Sequence, residues 1–221
     1  MKARATLPLA ILAGLTTALF FAGLWLDIVE LRLLSKPFPV LALALWVGLN
    51  RPDRTGVAIL VGLVLSAVGD LLLEIPANLF VYGLLAFLCA HVAYIVGAVM
   101  HSRTLAPWVA LPIAAYCVGV YVWLQPNMGE LSVPVAVYVT VIGLMLWRMA
   151  ARIDGTPWTT LALLGAVSFA LSDSIIAVRK FYAEFPGVRE CIMVTYWLGQ
   201  ALIAASAIRS PAARSPRPDA R

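Results

Sequence analysis

The stretch GVAILVGLVLSAVGDLLLE, residues 56–74, sets the reading of the whole chain. At a rise of about 1.5 Å per residue, a helix of this length crosses the roughly 30 Å hydrocarbon core of a bilayer. The stretch is continuously apolar apart from Ser66, Asp70 and Glu74. Those three follow an i, i+4, i+8 spacing, so a helix places them on one stripe. Continuity, rather than alternation of apolar and polar residues, argues against a β-barrel strand.

Working outward, further apolar runs lie at roughly 5–26, 37–50, 79–100, 106–124, 131–151, 158–178 and 189–208. Backbone groups in hydrocarbon must be satisfied within their own segment, so each run is expected to be a helix. The breaks suit turns: Asn50 to Asp53, Ile75 to Asn78, Gln125 to Asn127, and Asp154 to Pro157. Pro37 and Pro39 fit the first turn of the second helix. Composition agrees, with 62% hydrophobic and 12% charged residues. A soluble domain carries about 25% charge, so lipid must cover most of this surface. The expected fold is all-α: a polytopic transmembrane helix bundle of about eight spans. It forms a single domain over 1–209, with a disordered basic tail over 210–221. Lys2 and Arg4 precede the first run as in a signal peptide. That run continues to about Leu26 without a convincing cleavage pattern, so an uncleaved first span is expected.

Counting Lys and Arg on alternate sides gives eleven (Lys2, Arg4, Arg51, Arg54, Arg103, Arg148, Arg152, Arg209, Arg214, Arg217, Arg221) against five (Arg32, Lys36, Arg179, Lys180, Arg189). Both termini are therefore expected in the cytoplasm, with the protein in the cell's inner membrane. Acidic residues are distributed the other way. Asp27, Glu30, Asp70, Glu74, Glu130, Asp173, Glu184 and Glu190 lie toward the outer side, leaving Asp53, Asp154 and Asp219 inside. The outer half thus gathers a mixed-charge cluster at several helix ends.

The formal charge of +5 does not indicate nucleic acid, because the basic residues sit at helix ends and in the tail. Membrane topology and anionic lipid account for them there. Cys89, Cys117 and Cys191 form no CxxC pair and are expected as small buried hydrophobes. Zinc favours nitrogen and sulfur ligands, and there are two histidines, His101 being placed in a loop. No metal or cofactor is expected, and no nucleophile elbow, H-E-x-x-H or P-loop is present.

Asp70 and Asp173 are the candidate catalytic residues. An ionised carboxylate facing lipid is costly, so each should face the bundle interior, and intramembrane ionisable groups are functional hypotheses by default. Counted from the outer ends of their runs, both fall roughly 6–8 Å deep. Around that level come Pro134 and Tyr138, and Tyr196 and Gln200 at i, i+4, with Lys180 seven residues after Asp173 and near the surface. Phe80, Gly83, Phe87, His91 and Tyr94 share one face, His91 deeper at roughly 18 Å. AVGDLLL (67–73) and ALSDSII (170–176) also hint at a parallel repeat four spans apart.

These residues give the chain its resemblance to the YhhN-type lysoplasmalogenase family of membrane proteins. The matching positions are Lys36-Pro37, Ser66 through Glu74, Phe80 to Gly83, Phe87 to His91 with Tyr94, Pro134 and Tyr138, Ser172-Asp173-Ser174 with Lys180-Phe181, and Tyr196 with Gln200. They run in order from about residue 33 to 207. The resemblance implies an eight-helix bundle and hydrolysis of the vinyl ether bond of lysoplasmalogens. The implied products are a fatty aldehyde and glycerophosphoethanolamine or glycerophosphocholine.

That reaction needs an acid to protonate the β-carbon and a carboxylate to stabilise the resulting oxocarbenium ion or activate water. Paired carboxylates serve the same purpose in glycosidases. Asp70 and Asp173 are expected to be that pair. Lys36, Arg179 and Lys180 would receive the phosphate, and Glu74 an amine headgroup. Tyr138, Tyr196, Gln200 and His91 would line the cavity, with a lysophospholipid and membrane lipids as partners. The alternatives are a proton-coupled or lipid-handling transporter without hydrolytic activity, and an assembly protein without a ligand.

Overall fold

In the computed structural model, which describes residues 2–77 and 79–208, nine α-helices follow one another. They are α1 (Lys2–Trp25), α2 (Val29–Ser35), α3 (Phe38–Leu49), α4 (Arg54–Glu74), α5 (Phe80–His101), α6 (Pro107–Leu124), α7 (Ser132–Ala151), α8 (Pro157–Phe181) and α9 (Val188–Ala207). The tail expected over 210–221 lies outside the described residues.

Among the described residues, seven segments are long and apolar enough to cross a membrane. One of them, Val29–Leu49, is made of α2 and α3 together. Pro37 separates the two, since a proline supplies no backbone N–H to continue a helix. The sequence reading starts this span at Pro37 and leaves α2 in a loop, because Glu30 and Arg32 interrupt its apolar pattern. The eighth expected span, α9, has the length, at 20 residues, but falls short in apolarity. Its polar side chains face protein, with Tyr196, Gln200 and Ser206 all buried. A helix screened by its neighbours needs less lipophilicity than one bathed in lipid.

Two antiparallel hairpins, α4 with α5 and α8 with α9, form the centre of the bundle. Small residues let their axes approach, as is common where lipid tails offer no hydrophobic drive between helices. A Cβ added at Gly62 would run into the Tyr94 ring, and one at Gly69 would meet Phe87 at 2.6 Å. In the other hairpin, Gly165 and Gly199 face one another, a Cβ at either lying 2.7 or 2.8 Å from the other's carbonyl oxygen. Backbone atoms cannot swing aside. Gly165→Ala is therefore expected to destabilise the fold by about 1–3 kcal/mol, read as a lowered unfolding midpoint in detergent. An unchanged midpoint would show that the contact is not so close.

Helix α3 joins α1 to α4 and α9, while α7 joins α5 to α6 and α8. Leu63, Met145, Phe169 and Ile203 fill the interior. Leu7, Leu45, Leu111, Val118 and Leu164 are exposed, as suits a lipid-facing surface. Of the cysteines only Cys117 is buried; Cys89 and Cys191 point outward, which corrects the expectation that all three are interior. Helix α4 begins at Asp53, whose carboxylate accepts from the Gly56 N–H at 2.8 Å. At the same end, Arg148 donates to the carbonyls of Ser102 and Thr104, pinning the α5–α6 loop to α7. Partial burial opposes ionisation of Asp154. Hydrogen bonds from Thr156 and Thr159 and the nearby His101 nonetheless hold its carboxyl well below the usual range.

Candidate active site

The expected stripe on α4 faces inward as a unit: Ser66 and Asp70 are buried, and the Glu74 side chain is 6% exposed. Asp70 lies four residues before the end of α4. Helix α8 extends to Phe181, beyond its apolar run, because its last turn carries Arg179 and Lys180; Asp173 is therefore eight residues from that end.

Asp70 is held by the opposite hairpin, and Asp173 by α7. Tyr196 of α9 donates its hydroxyl to Asp70 Oδ2 on α4 at 2.8 Å. Asp173 Oδ2 on α8 lies 3.6 Å from Nε2 of His91 on α5 and accepts from Tyr138 of α7 at 3.1 Å. Tyr94 of α5 donates to Gln200 Oε1 of α9 at 2.7 Å, so a second hydrogen bond ties the hairpins. Phe169 stands between the two carboxylate stations, its ring 4.7 Å from His91 and 5.3 Å from Tyr196. Phe87 closes the same wall, 5.7 Å from Tyr196. Phe169 thus touches a neighbour of each aspartate, His91 beside Asp173 and Tyr196 on Asp70.

Their access differs. Asp70 is 1% exposed and is not among the residues that line the cavity at Asp173 or the basin beside it. Asp173 lines an apolar cavity of about 60 Å³ with Phe87, Tyr138 and Ile142. Leu73, Phe80 and Ile176 form a wall common to this cavity and to a wider basin of about 540 Å³. That basin presents Arg32, Lys36, Arg179, Lys180 and Arg189 against Glu74 and Glu184.

Within the basin the cations are not equivalent. Glu74 Oε1 receives Arg32 at 2.8 Å and Arg189 at 3.0 Å, and its Oε2 receives Lys36 at 3.1 Å. Arg32 also binds Asp27 and the Gly23 carbonyl. Arg179 pairs with exposed Glu184 at 3.0 Å. Lys180 is exposed and sits 4.9 Å above the Phe80 ring, at the wall where basin and cavity meet. Glu74 is therefore saturated by three cations, and Lys36 is committed to it.

Sequence reasoning missed Arg32 and Arg189 as site residues. Reading α2 as a helix would have exposed Arg32, since Arg32 and Lys36 are four apart. Nothing local marks Arg189. Among the described residues, no group of three or more His, Cys, Asp and Glu side chains is arranged to hold a metal.

The fold and site are those of a polytopic membrane protein with one buried carboxylate, Asp173, on an apolar cavity that adjoins a cationic basin. The chain belongs to the YhhN family, whose model matches residues 31–207. It is 39% identical over 169 residues to the human lysoplasmalogenase TMEM86A, covering 73% of this chain and 69% of that protein. With human lysoplasmalogenase TMEM86B it shares 37% identity over 181 residues, 80% of this chain and 76% of the relative. A Mycobacterium tuberculosis lysoplasmalogenase is 37% identical over 153 residues, 65% of this chain and 57% of the relative. No solved structure matches the chain.

Proposed function

We propose that the protein is a membrane hydrolase that cleaves the vinyl ether bond of lysoplasmalogens, releasing a fatty aldehyde and glycerophosphoethanolamine or glycerophosphocholine. The observation that carries this reading is the common wall of Leu73, Phe80 and Ile176, which joins the cationic basin to the apolar cavity lined by Asp173. A lysolipid has the same order of parts: a phosphate, then the ether bond, then an apolar chain. The names of the relatives support the reaction.

Asp173 gives its proton to the β-carbon of the vinyl ether, leaving an oxocarbenium ion next to the ether oxygen. The new carboxylate stabilises that cation and then accepts a proton from the water that adds to it. The hemiacetal returns a proton to the departing glycerol oxygen and breaks into aldehyde and alcohol. Tyr138 orients the carboxyl through its hydrogen bond to Oδ2. Asp70, sealed behind Tyr196, is the positioning member of the pair: it fixes the ring that stands against Phe87 and Phe169. His91 lies 3.6 Å from Asp173 at full burial, and Gln200 accepts from Tyr94.

Lys180 holds the phosphate, assisted by Arg179, while Glu74 gathers Arg32, Lys36 and Arg189 into the basin's fixed floor. Lys180→Met is expected to raise KM about tenfold with little change in kcat, as loss of uniform binding does. A lowered kcat at unchanged KM would remove Lys180 from headgroup binding. The Lys and Arg count supports both termini in the cytoplasm, which places the basin toward the outer leaflet.

The reading itself is tested by assaying the purified protein in detergent for aldehyde release from lysoplasmenylethanolamine. An enzyme releases aldehyde without a sealed compartment; a transporter leaves the lipid intact. Absence of aldehyde would overturn the hydrolase.

A further inference from the structure

The cavity at Asp173 is too small for the chain of the lipid it serves. Its roughly 60 Å³ admit only a few water-sized groups. On the other side of Val139 lies a second apolar space of about 330 Å³, a groove between α6 and α7 walled by Ile113, Cys117, Tyr121, Gly143 and Trp147. Val139 lines both spaces. Helix α6 is packed lightly here, with Cys117 and Leu124 its only buried residues. Tyr116 of α6 meets Ser174 at 2.6 Å, and Ser174 follows Asp173 on the cavity wall. Basin, cavity and groove therefore adjoin in sequence, polar at one end and apolar at the other.

We propose that the α6–α7 groove receives the alkenyl chain of the lysolipid, which enters past Val139 while its vinyl ether stays at Asp173. The assignment rests on the hydrolase reading and adds to it the element that selects chain length. The basin is a poor rival for the chain, because seating it there would cover the charged groups of Arg32, Lys36, Glu74 and Arg189 with hydrocarbon.

Cys117 supplies the test. A Cβ built at Gly143 would lie 4.0 Å from Cys117 Cβ and 3.2 Å from its Sγ. That separation suits a disulfide. Gly143→Cys, in a chain with Cys89 and Cys191 changed to serine, is oxidised with copper phenanthroline to tie α6 to α7 where they touch, so that the groove between them cannot widen to take a chain. Turnover is then measured on lysoplasmalogens with hexadecenyl and butenyl chains. Oxidation is expected to lower kcat/KM for the long chain by about tenfold or more, with the short chain within about twofold, and reductant should restore it. Equal loss on both chains, or no loss on the long one, would overturn the groove.

A second measurement uses the wild-type chain and does not depend on activity. A long-chain lysophospholipid carrying a diazirine at its chain end is photo-crosslinked, with and without unlabelled competitor. Competable labelling of α6 and α7 is expected; competable labelling confined to other helices would overturn the proposal. Absence of aldehyde release from wild type overturns the hydrolase reading, whereas the crosslink site judges the groove alone.

Discussion

Glu74→Ala is expected to destabilise the protein by about 3–5 kcal/mol, the usual consequence of removing one partner from a buried ion cluster. The Glu74 side chain is 6% exposed and is the shared acceptor for Arg32, Lys36 and Arg189. Arg32 and Lys36 are themselves buried, so their charges would be left without the carboxylate that offsets their desolvation. The damage should spread, because those cations come from α2, the α2–α3 junction and α9, while Glu74 ends α4. Glu74→Gln keeps an acceptor oxygen and should be milder. Chemical unfolding in detergent measures the difference. Wild-type stability in the alanine variant would show that the cluster is not a structural centre.

Asp173→Asn is expected to lower aldehyde release by about a thousandfold, within the range that a general acid–base group contributes. An amide is nearly the same shape as a carboxyl but cannot deliver the proton. The hydrogen bond from Tyr138 can be kept, so folding should be spared. Asp70→Asn should lose less, about ten- to a hundredfold, because Asp70 acts through Tyr196. Tyr196→Phe should then reproduce most of the Asp70 effect, and combining the two should add little. Near-normal turnover by Asp173→Asn would remove it as the acid. Fully additive losses for Asp70→Asn and Tyr196→Phe would separate Asp70 from the tyrosine.

Much of the architecture is legible because a lipid environment forces local rules. Runs of apolar residues must be helices, and the stripe of Ser66, Asp70 and Glu74 must turn from lipid, which is how α4 is seated. The exceptions are where burial inside protein relaxes that rule. Helix α2 hides Arg32 in an ion cluster, and α9 turns Tyr196 and Gln200 inward, so both are more polar than a lipid-facing span. Cys89 and Cys191 err the other way, because an apolar run does not say which of its residues touches lipid.

At the site, the sequence reveals which helices carry reactive groups but not who meets whom. Tyr196 and Asp70 are 126 residues apart, and Tyr94 and Gln200 are 106 apart. Local periodicity has no record of such pairings. The same holds for Lys36 and Glu74, 38 residues apart and paired at 3.1 Å.

On the proposed mechanism, protonation of the vinyl ether by Asp173 leads to cleavage of the bond between the alkenyl carbon and the ether oxygen. Hydrolysis of lysoplasmenylethanolamine by the purified protein in heavy-oxygen water, with both products weighed by mass spectrometry, tests it most directly. Addition of water to the oxocarbenium carbon leaves the original ether oxygen on glycerol. The glycerophosphoethanolamine should therefore carry no heavy oxygen while aldehyde accumulates. Heavy oxygen in the glycerol product would contradict the account.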